Sequence, residues 1–398
     1  MEDDVSSIER TPNDRWRARY RDLAGRSRSR TFDRKVDASQ YLERIGADMQ
    51  RGEWADPHLQ KSIVATWAES WYATTAPLKP STRHGYRKAL NRRILPRWGE
   101  RPLGSIDRAE VREWVAELTD EGLSPARIRN VVSIFAQVLD LARDARAMRD
   151  NPVRGVRLPR SNRVEPSFLD AGQVARVADA IRTDYRFFVL LAAYCGLRPG
   201  EMCGLRVRRL DTARRRVHVA ETLQPISGEL ICGPPKSYEI RTVPIPKFVM
   251  DEGDTHLAMR TEQLGRALEP DDWVFGNQKD PAEGLNRDSF RKWVMVPALE
   301  DAGLSAKVRT HDLRHTCASL LISLGAHPKA IQERLGHSDI GVTLNLYGHL
   351  FPSLEEQLTD ALDDLGRSAG ASADLLSHGD ILDLDAEEAD VRKDQERR

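Results

Sequence analysis

The chain has 398 residues, 40% hydrophobic and 31% charged, with 61 basic and 61 acidic side chains that cancel to a net charge of zero. This length suits two or three domains with sizeable cores. No apolar run is long enough to span a bilayer, the N-terminus lacks an apolar signal region, and Cys195, Cys203, Cys232 and Cys317 have neither disulfide-scaffold nor zinc-finger spacing. A reducing cytoplasm is the simplest compartment.

The zero net charge hides a polar layout. "RWRARYRDLAGRSRSRTFDRK" is strongly basic, whereas "GDILDLDAEEAD" near the C-terminus holds acids and no bases. Local patches matter more than the total for binding a polyanion.

In chain order, Arg15, Arg17, Arg19 and Arg21 alternate with Trp16, Ala18 and Tyr20. That is strand periodicity, with one packed face and four guanidinium groups on the other. "DLAG" reads as a turn, "RSRTF" as a second strand, and "DASQYLERIGADMQ" as a helix capped by Asp37. The result is a strand-strand-helix module over 1–55.

Helices are predicted over 60–73, 81–95, 107–120 and 124–148, with Ser81 and Asp107 at N-cap positions and Pro80 and Pro102 in the connections. Ile128, Val131, Ile134, Phe135, Val138 and Leu141 share one helical face. Arg83, Arg87, Lys88, Arg92 and Arg93 decorate other faces. This helical domain covers 56–152.

Residues 153–168, rich in Pro and Arg, read as a linker. A mainly helical domain with short strands near 206–245 follows over 169–366, and the acidic tail 367–398 reads as disordered.

The chemistry concentrates in the second half. Arg198 lies in "GLRPGE", in a turn between two helices, where Glu201 can pair with a neighbouring cation. His311 and Arg314 of "HDLRH" stand at i and i+3 on one helix face, with Thr310 and Asp312 as cap groups. His315, one step round that helix, is the weaker candidate. His337 follows a helix-ending Gly in "RLGHSD", and Tyr347 comes ten residues later in "LYGHL". Lys236, in "GPPKSYEIRTVPIP", falls between two strand-like runs.

Each residue alone has a bland reading as a cap, a solvated cation or a core tyrosine. The set together supplies a nucleophile, an acid and two arginine forks. Planar, always-charged guanidinium groups suit the non-bridging oxygens of a phosphorane. A tyrosyl oxygen becomes a competent nucleophile beside cations. No paired carboxylates suggest a two-metal site, and no "GxxxxGK[ST]" loop suggests ATP.

Taken in order, "GLRPGE", "HDLRHTCASLL", "LGHSD" and "TLNLYGH" resemble the boxes of the tyrosine recombinases, the phage-integrase family. The resemblance is specific over about 170–360. The 57–150 region resembles that family's SAM-like core-binding domain, and the basic 1–55 module resembles its small α+β arm-binding domains. The implied architecture ends in a mainly α, α+β catalytic domain.

The resemblance also implies roles. Tyr347 attacks the scissile phosphate and forms a 3′-phosphotyrosine, Arg198 and Arg314 hold the non-bridging oxygens, and His311 and His337 position the phosphate and assist proton transfer. Lys236 protonates the leaving 5′-oxygen, and Glu201 supports the site. The phosphotyrosine conserves bond energy, so no ATP is needed, and the nucleophile, acid and cationic clamp imply chemistry without a metal. The implied partners are double-stranded attachment-site DNA, three further copies in a tetramer, and accessory bending and directionality factors. Arg15, Arg17, Arg19, Arg21, Arg83, Arg87 and Lys88 are the expected DNA contacts.

Alternatives are a type IB topoisomerase, a dimer-resolution recombinase of the Xer type, and a DNA-binding regulator that no longer cuts. The extra N-terminal module favours a mobile-element integrase. Past the tyrosine, Leu354, Leu358, Ala361, Leu362 and Leu365 form an apolar helical stripe that packs either on its own domain or on a neighbouring protomer.

Overall fold

A computed structural model describes residues 6–160, 167–235, 240–351, 359–360, 362–365 and 367. Lys236, the acidic tail, and Leu354, Leu358 and Ala361 of the apolar stripe lie outside the described residues; Leu362 and Leu365 are helical and exposed. None of the described helices is long and apolar enough to cross a membrane. Contacts divide the chain into two units, one of residues 1–165 with 224–231, the other of 166–223 with 232–398.

The first unit begins with an antiparallel sheet of β1 (Ser6–Arg10), β2 (Trp16–Arg21) and β3 (Ser27–Phe32), with β2 central. Register pairs Arg17 with Glu9 and Thr31, and Arg19 with Ser7 and Ser29. The alternation of β2 does its expected work. Ala18 and Tyr20 are buried with Ala38, Tyr41, Ile45 and Trp54, while Arg19 and Arg21 face out. The four-guanidinium face is reduced, because Arg15 precedes the strand and pairs with Asp33 at 2.7 Å.

Helix α1 (Lys35–Gln50) supplies the Tyr41 and Ile45 side of this small core. It starts earlier than predicted. Arg34 takes the N-cap position, and Asp37 sits in the first turn, where a carboxylate still favours the positive helix end.

The sheet is tied to the next layer by ions. Arg28 donates to Asp22 at 3.1 Å and also to Asp56, whose backbone N–H donates to the Arg146 carbonyl at 2.8 Å. Arg149 pairs with Glu53 at 2.8 Å.

That layer is all helical: α2 (Val64–Thr74), α3 (Pro80–Ala89), α4 (Leu95–Trp98), α5 (Arg108–Asp120) and α6 (Pro125–Asp144). Pro80 occupies the first turn of α3, where its missing N–H costs nothing, so Lys79 rather than Ser81 precedes the helix. Asp107 caps α5 by accepting from the Glu110 backbone N–H at 2.9 Å.

A wide π-helical turn, Leu90–Ile94, joins α3 to α4. Pro96 explains it: a proline lacks the N–H that would reach back four residues to Arg92, and its ring crowds that carbonyl. The same solution appears at Arg291–Met295, just before Pro297.

Helix α6 runs through the core, burying Ile128, Val131, Ile134, Phe135 and Val138, with Leu141 partly covered. Trp98 stacks on Phe135 with ring centroids 5.4 Å apart and meets Trp114 edge-on at 5.7 Å. The stretch predicted to be a linker starts inside this core, since Val153 and Val156 are buried.

The second unit is built around α8 (Arg186–Cys195), buried along almost its whole length. It packs against α7 (Ala171–Ala180), α10 (Lys247–Leu264) and α13 (Thr310–Ser323). The short α9 (Pro199–Cys203) follows α8.

The strands of this unit are β4 (Leu210–Asp211), β5 (Arg216–Val219) and β8 (Arg241–Pro244); between β5 and β8 in the chain lie β6 (Thr222–Ile226) and β7 (Glu229–Gly233), whose residues 224–231 belong to the first unit. β5 is central between β4 and β8 and antiparallel to both, while β6 and β7 pair separately. The remaining helices are α11 (Arg287–Phe290), α12 (Val296–Asp301), α14 (Pro328–Leu335) and α15 (Ile340–Tyr347).

Candidate active site

The site forms where the ends of α8 and α14 meet α13 and α15. Gly196 ends α8 in the left-handed conformation, φ 70°. A Cβ there would lie 2.5 Å from the Leu335 side chain, so glycine is required by both conformation and space. Gly336 ends α14 in the same way, φ 64°, and a Cβ would press on the Arg241 side chain at 2.8 Å.

These helix ends present carbonyls to two cations. Arg314, 2% exposed, donates Nη1–H to the Gly196 carbonyl and Nη2–H to the Leu335 carbonyl, both at 2.6 Å. Arg198 donates Nη2–H to the Gly336 carbonyl at 2.8 Å. His337 is the next residue. Three consecutive positions, 335 to 337, thus fix Arg314, Arg198 and the histidine against one another. The negative ends of two helix dipoles point at the buried guanidinium and offset part of its desolvation.

Arg314 spends two of its five N–H donors on these carbonyls. Burial first, then the charge of Arg198, push its pKa down to about 9, so it stays charged at neutral pH.

Glu201, 1% exposed, is the anionic hub. It accepts from Arg198 Nη1 at 2.8 Å and from Arg241 at 3.0 and 2.7 Å, and it takes the Arg198 backbone N–H at 2.8 Å. Burial alone would raise this carboxyl; the Arg241 hydrogen bonds and the two arginine charges outweigh it and hold the pKa at about 2. The expectation that Glu201 pairs with a neighbouring cation is met twice over. Arg241 itself escaped the sequence reading: it sits on a strand forty residues away, and nothing local marks it as a partner.

The histidines are kept neutral. Burial, then the charges of His315 and Arg314, lower His311 to about 4. Burial, then Arg314, Arg198 and Arg241, lower His337 to about 3. The His337 Nδ1 lies 2.9 Å from the Thr343 hydroxyl, which holds the ring against α15. Asp312 accepts the Arg309 backbone N–H at 2.7 Å and fixes the start of α13, the cap role expected of it. The Thr310 hydroxyl is buried and has no hydrogen-bond partner among the described residues.

Tyr347 ends α15 and is fully buried among Cys317, Ala318, Ile322, Ile331 and Leu335. Its hydroxyl lies 2.7 Å from the Nδ1 of His315. The sequence reading did not foresee this contact. One step round α13 from Arg314 points away from the guanidinium, yet α15 packs on that flank, so His315 meets the tyrosine. The His315 ring also stands edge-on to His311, 4.9 Å between centroids, and Phe168 lies beside both His315 and Tyr347. Burial raises the Tyr347 phenol to about 12, against the pull of Arg314.

Arg198, His311, Arg314, His337 and Tyr347 are therefore brought together within one unit. The expected DNA-contact residues belong to the other unit. Arg17 and Arg19 share Glu9, at 3.3 and 3.1 Å, and Arg21 donates to the Gly25 carbonyl at 3.3 Å. Arg87 holds Glu69, with one bond at 2.9 Å, and lies over the Tyr72 ring beside Arg83. Lys88 is on the same helix.

The phage integrase family model matches residues 167–353, and the model of the phage integrase N-terminal SAM-like domain matches 64–119. The prophage phiRv2 integrase of Mycobacterium tuberculosis is 26% identical over 364 residues, 89% of this chain and 94% of that protein. The ICEBs1 integrase of Bacillus subtilis is 26% identical over 294 residues, 72% and 78% of the two chains. Among solved structures, the integrase of transposon Tn1549 in complex with a circular intermediate DNA shares the fold. Its TM-score is 0.65 at 20% identity, covering 76% of this chain and 99% of that one.

Proposed function

Because this chain belongs to the phage integrase family, we propose that it is a site-specific tyrosine recombinase that integrates a phage or other mobile element. The observation that carries the reading is the run 335–337, which gathers Arg314, Arg198 and His337 into one cationic site within a domain that also buries Tyr347.

In this reading the scissile phosphate enters between the two arginines. Their remaining donors take its non-bridging oxygens and stabilise the charge that grows in the transition state. Neutral His311 and His337 hydrogen-bond the same phosphate without adding formal charge. The Tyr347 oxygen attacks phosphorus, a 3′-phosphotyrosine forms, and the 5′-oxygen departs with a proton from Lys236. Reversal of these steps with a 5′-hydroxyl from a second duplex rejoins the strands. The phosphodiester bond energy is kept in the protein linkage, so no ATP is consumed, and the chemistry needs no metal.

The DNA partners are duplex attachment sites. We assign the 56–152 helical domain, with Arg83, Arg87 and Lys88, to the core site, and the outward arginines of the 1–55 sheet to separate arm sites. Phosphate contacts dominate the affinity. Four copies assemble on two sites, with accessory bending and directionality proteins setting the outcome.

The test is recombination between two plasmid-borne sites taken from the flanks of the chain's own gene, in EDTA and without ATP. Wild-type protein yields recombinant product and Tyr347→Phe yields none. Removal of residues 1–55 abolishes recombination between complete attachment sites. Relaxation of any supercoiled plasmid, without site preference, would instead favour a topoisomerase.

A further inference from the structure

The hydroxyl of Tyr347 has one hydrogen-bond partner among the described residues, the Nδ1 of His315 at 2.7 Å. Both groups are buried, at 0% and 7% exposure, so bulk water is a poor candidate to take the phenolic proton. We propose that His315 is the proton acceptor that activates Tyr347 for attack and returns the proton on rejoining. The proposal rests on the strand-transfer reading above and adds the group that handles the nucleophile's proton.

The geometry is that of an activated nucleophile: hydroxyl and base within hydrogen-bond reach, and the base held by further contacts. The His315 ring is fixed edge-on to His311 and to Phe168, and the end of α15 fixes the tyrosine. Phe168 also covers Tyr347 and His349, which closes the site on the side of the phenol.

The charged and titratable groups around His315 favour an acceptor. On its own helix are His311, Arg309, Asp312 and Arg314. From the other elements come Tyr347, and His337, which feels its charge. Burial, with the charges of Arg309 and Arg314, lowers the His315 pKa against the pull of Asp312. In the tautomer with its hydrogen on Nε2, the neutral imidazole leaves the Nδ1 lone pair free to accept the phenolic hydrogen.

The proton count closes. In cleavage the O–H bond of Tyr347 breaks and its proton goes to Nδ1 as the new P–O bond forms. The P–O bond to the 5′-oxygen breaks, and that oxygen takes its proton from a separate acid. In rejoining, the incoming 5′-hydroxyl returns a proton to that acid, and the departing tyrosyl oxygen recovers its own from the imidazolium. Acid and base are then different residues in each direction, and no proton exchange with solvent is needed between the two steps.

The test uses full-length protein on the duplex at which the wild type forms its covalent adduct, with a sulfur in place of the bridging 5′-oxygen. A thiolate departs without an acid, so the rate reports on the nucleophile. His315→Gln can still accept the tyrosyl hydrogen bond but cannot carry the proton.

The expected result is a loss of roughly 10²–10³-fold in cleavage with folding and DNA binding intact. Most of that rate should return when position 347 carries a difluorotyrosine, whose more acidic phenol needs less help from a base. Wild-type cleavage by His315→Gln would overturn the proposal, as would a slow variant that the acidic phenol does not rescue, since that result assigns His315 a positioning role alone. Absence of any adduct from the wild type would sink the strand-transfer reading and this inference with it.

Discussion

Two groups of arginines occupy this chain in opposite ways. In the catalytic unit, Arg314 is 2% exposed and is held by backbone carbonyls at two helix ends, while Arg198 and Arg241 grip the buried Glu201. In the N-terminal sheet, Arg19 and Arg21 face solvent, and Arg17 and Arg19 share a single half-buried glutamate, Glu9. A buried guanidinium is costly and must be fully preorganised, which suits stabilising a transition state. An exposed one is cheap and mobile, and suits salt-dependent attraction to phosphates. In the proposed reading the same side chain serves chemistry in one place and affinity in the other.

The sharpest way to break this contrast is Arg198→Lys, which keeps the charge and loses the fork. Cleavage should fall by roughly 10²–10³-fold, measured as the rate of covalent adduct formation, while duplex affinity changes little. An unchanged rate would place the clamp elsewhere.

Next in size is Glu201→Ala, which strands Arg198 and Arg241 without their carboxylate. Removing one member of a buried ion cluster costs about 3–5 kcal/mol, read by urea unfolding of the catalytic unit. A loss below about 1 kcal/mol would mean that the carbonyls alone suffice.

Substituting Arg17, Arg19 and Arg21 together by Ala should leave the core-site cleavage rate alone. It should weaken arm-site binding and flatten the plot of log affinity against log salt by about 0.9 for each phosphate that is no longer neutralised. An unchanged salt slope would remove the sheet from the DNA interface.

The last effect comes from protons. His311 and His337 titrate at about 4 and 3 in the fold, against an ordinary 6.5. Between pH 6.5 and 4 the unfolded chain therefore binds protons that the fold refuses. Stability is full above pH 6.5 and declines as the pH falls through this window. Melting temperature should drop by several degrees across it, and less when duplex DNA supplies a phosphate to both rings.

Much of this was legible because helices concentrate information locally. The i, i+3 spacing put His311 and Arg314 on one face, "GLRPGE" announced a helix end followed by a fixed arginine, and the alternation in β2 separated Ala18 and Tyr20 from the outward arginines. What stayed hidden depends on pairings distant in the chain. Arg241 pairs with Glu201, and His315 meets Tyr347 at the end of α15; periodicity within one helix is blind to both. The π-helical turns before Pro96 and Pro297 were readable in principle, since each proline strips a hydrogen bond from the preceding turn. The starts of α1 and α3 each fell a residue or two before the expected caps, because Arg34 and Lys79 precede helices that need no side-chain cap.

The most direct measurement is the chemical identity of the protein–DNA link. Full-length protein is incubated with its attachment-site duplex in EDTA, trapped in detergent and digested, and the nucleotide-bearing peptide is sequenced by mass spectrometry. The account predicts a single modified residue, Tyr347, joined to a 3′-phosphate with a free 5′-hydroxyl on the other strand end. A link at any other residue, or to a 5′-phosphate, would contradict it.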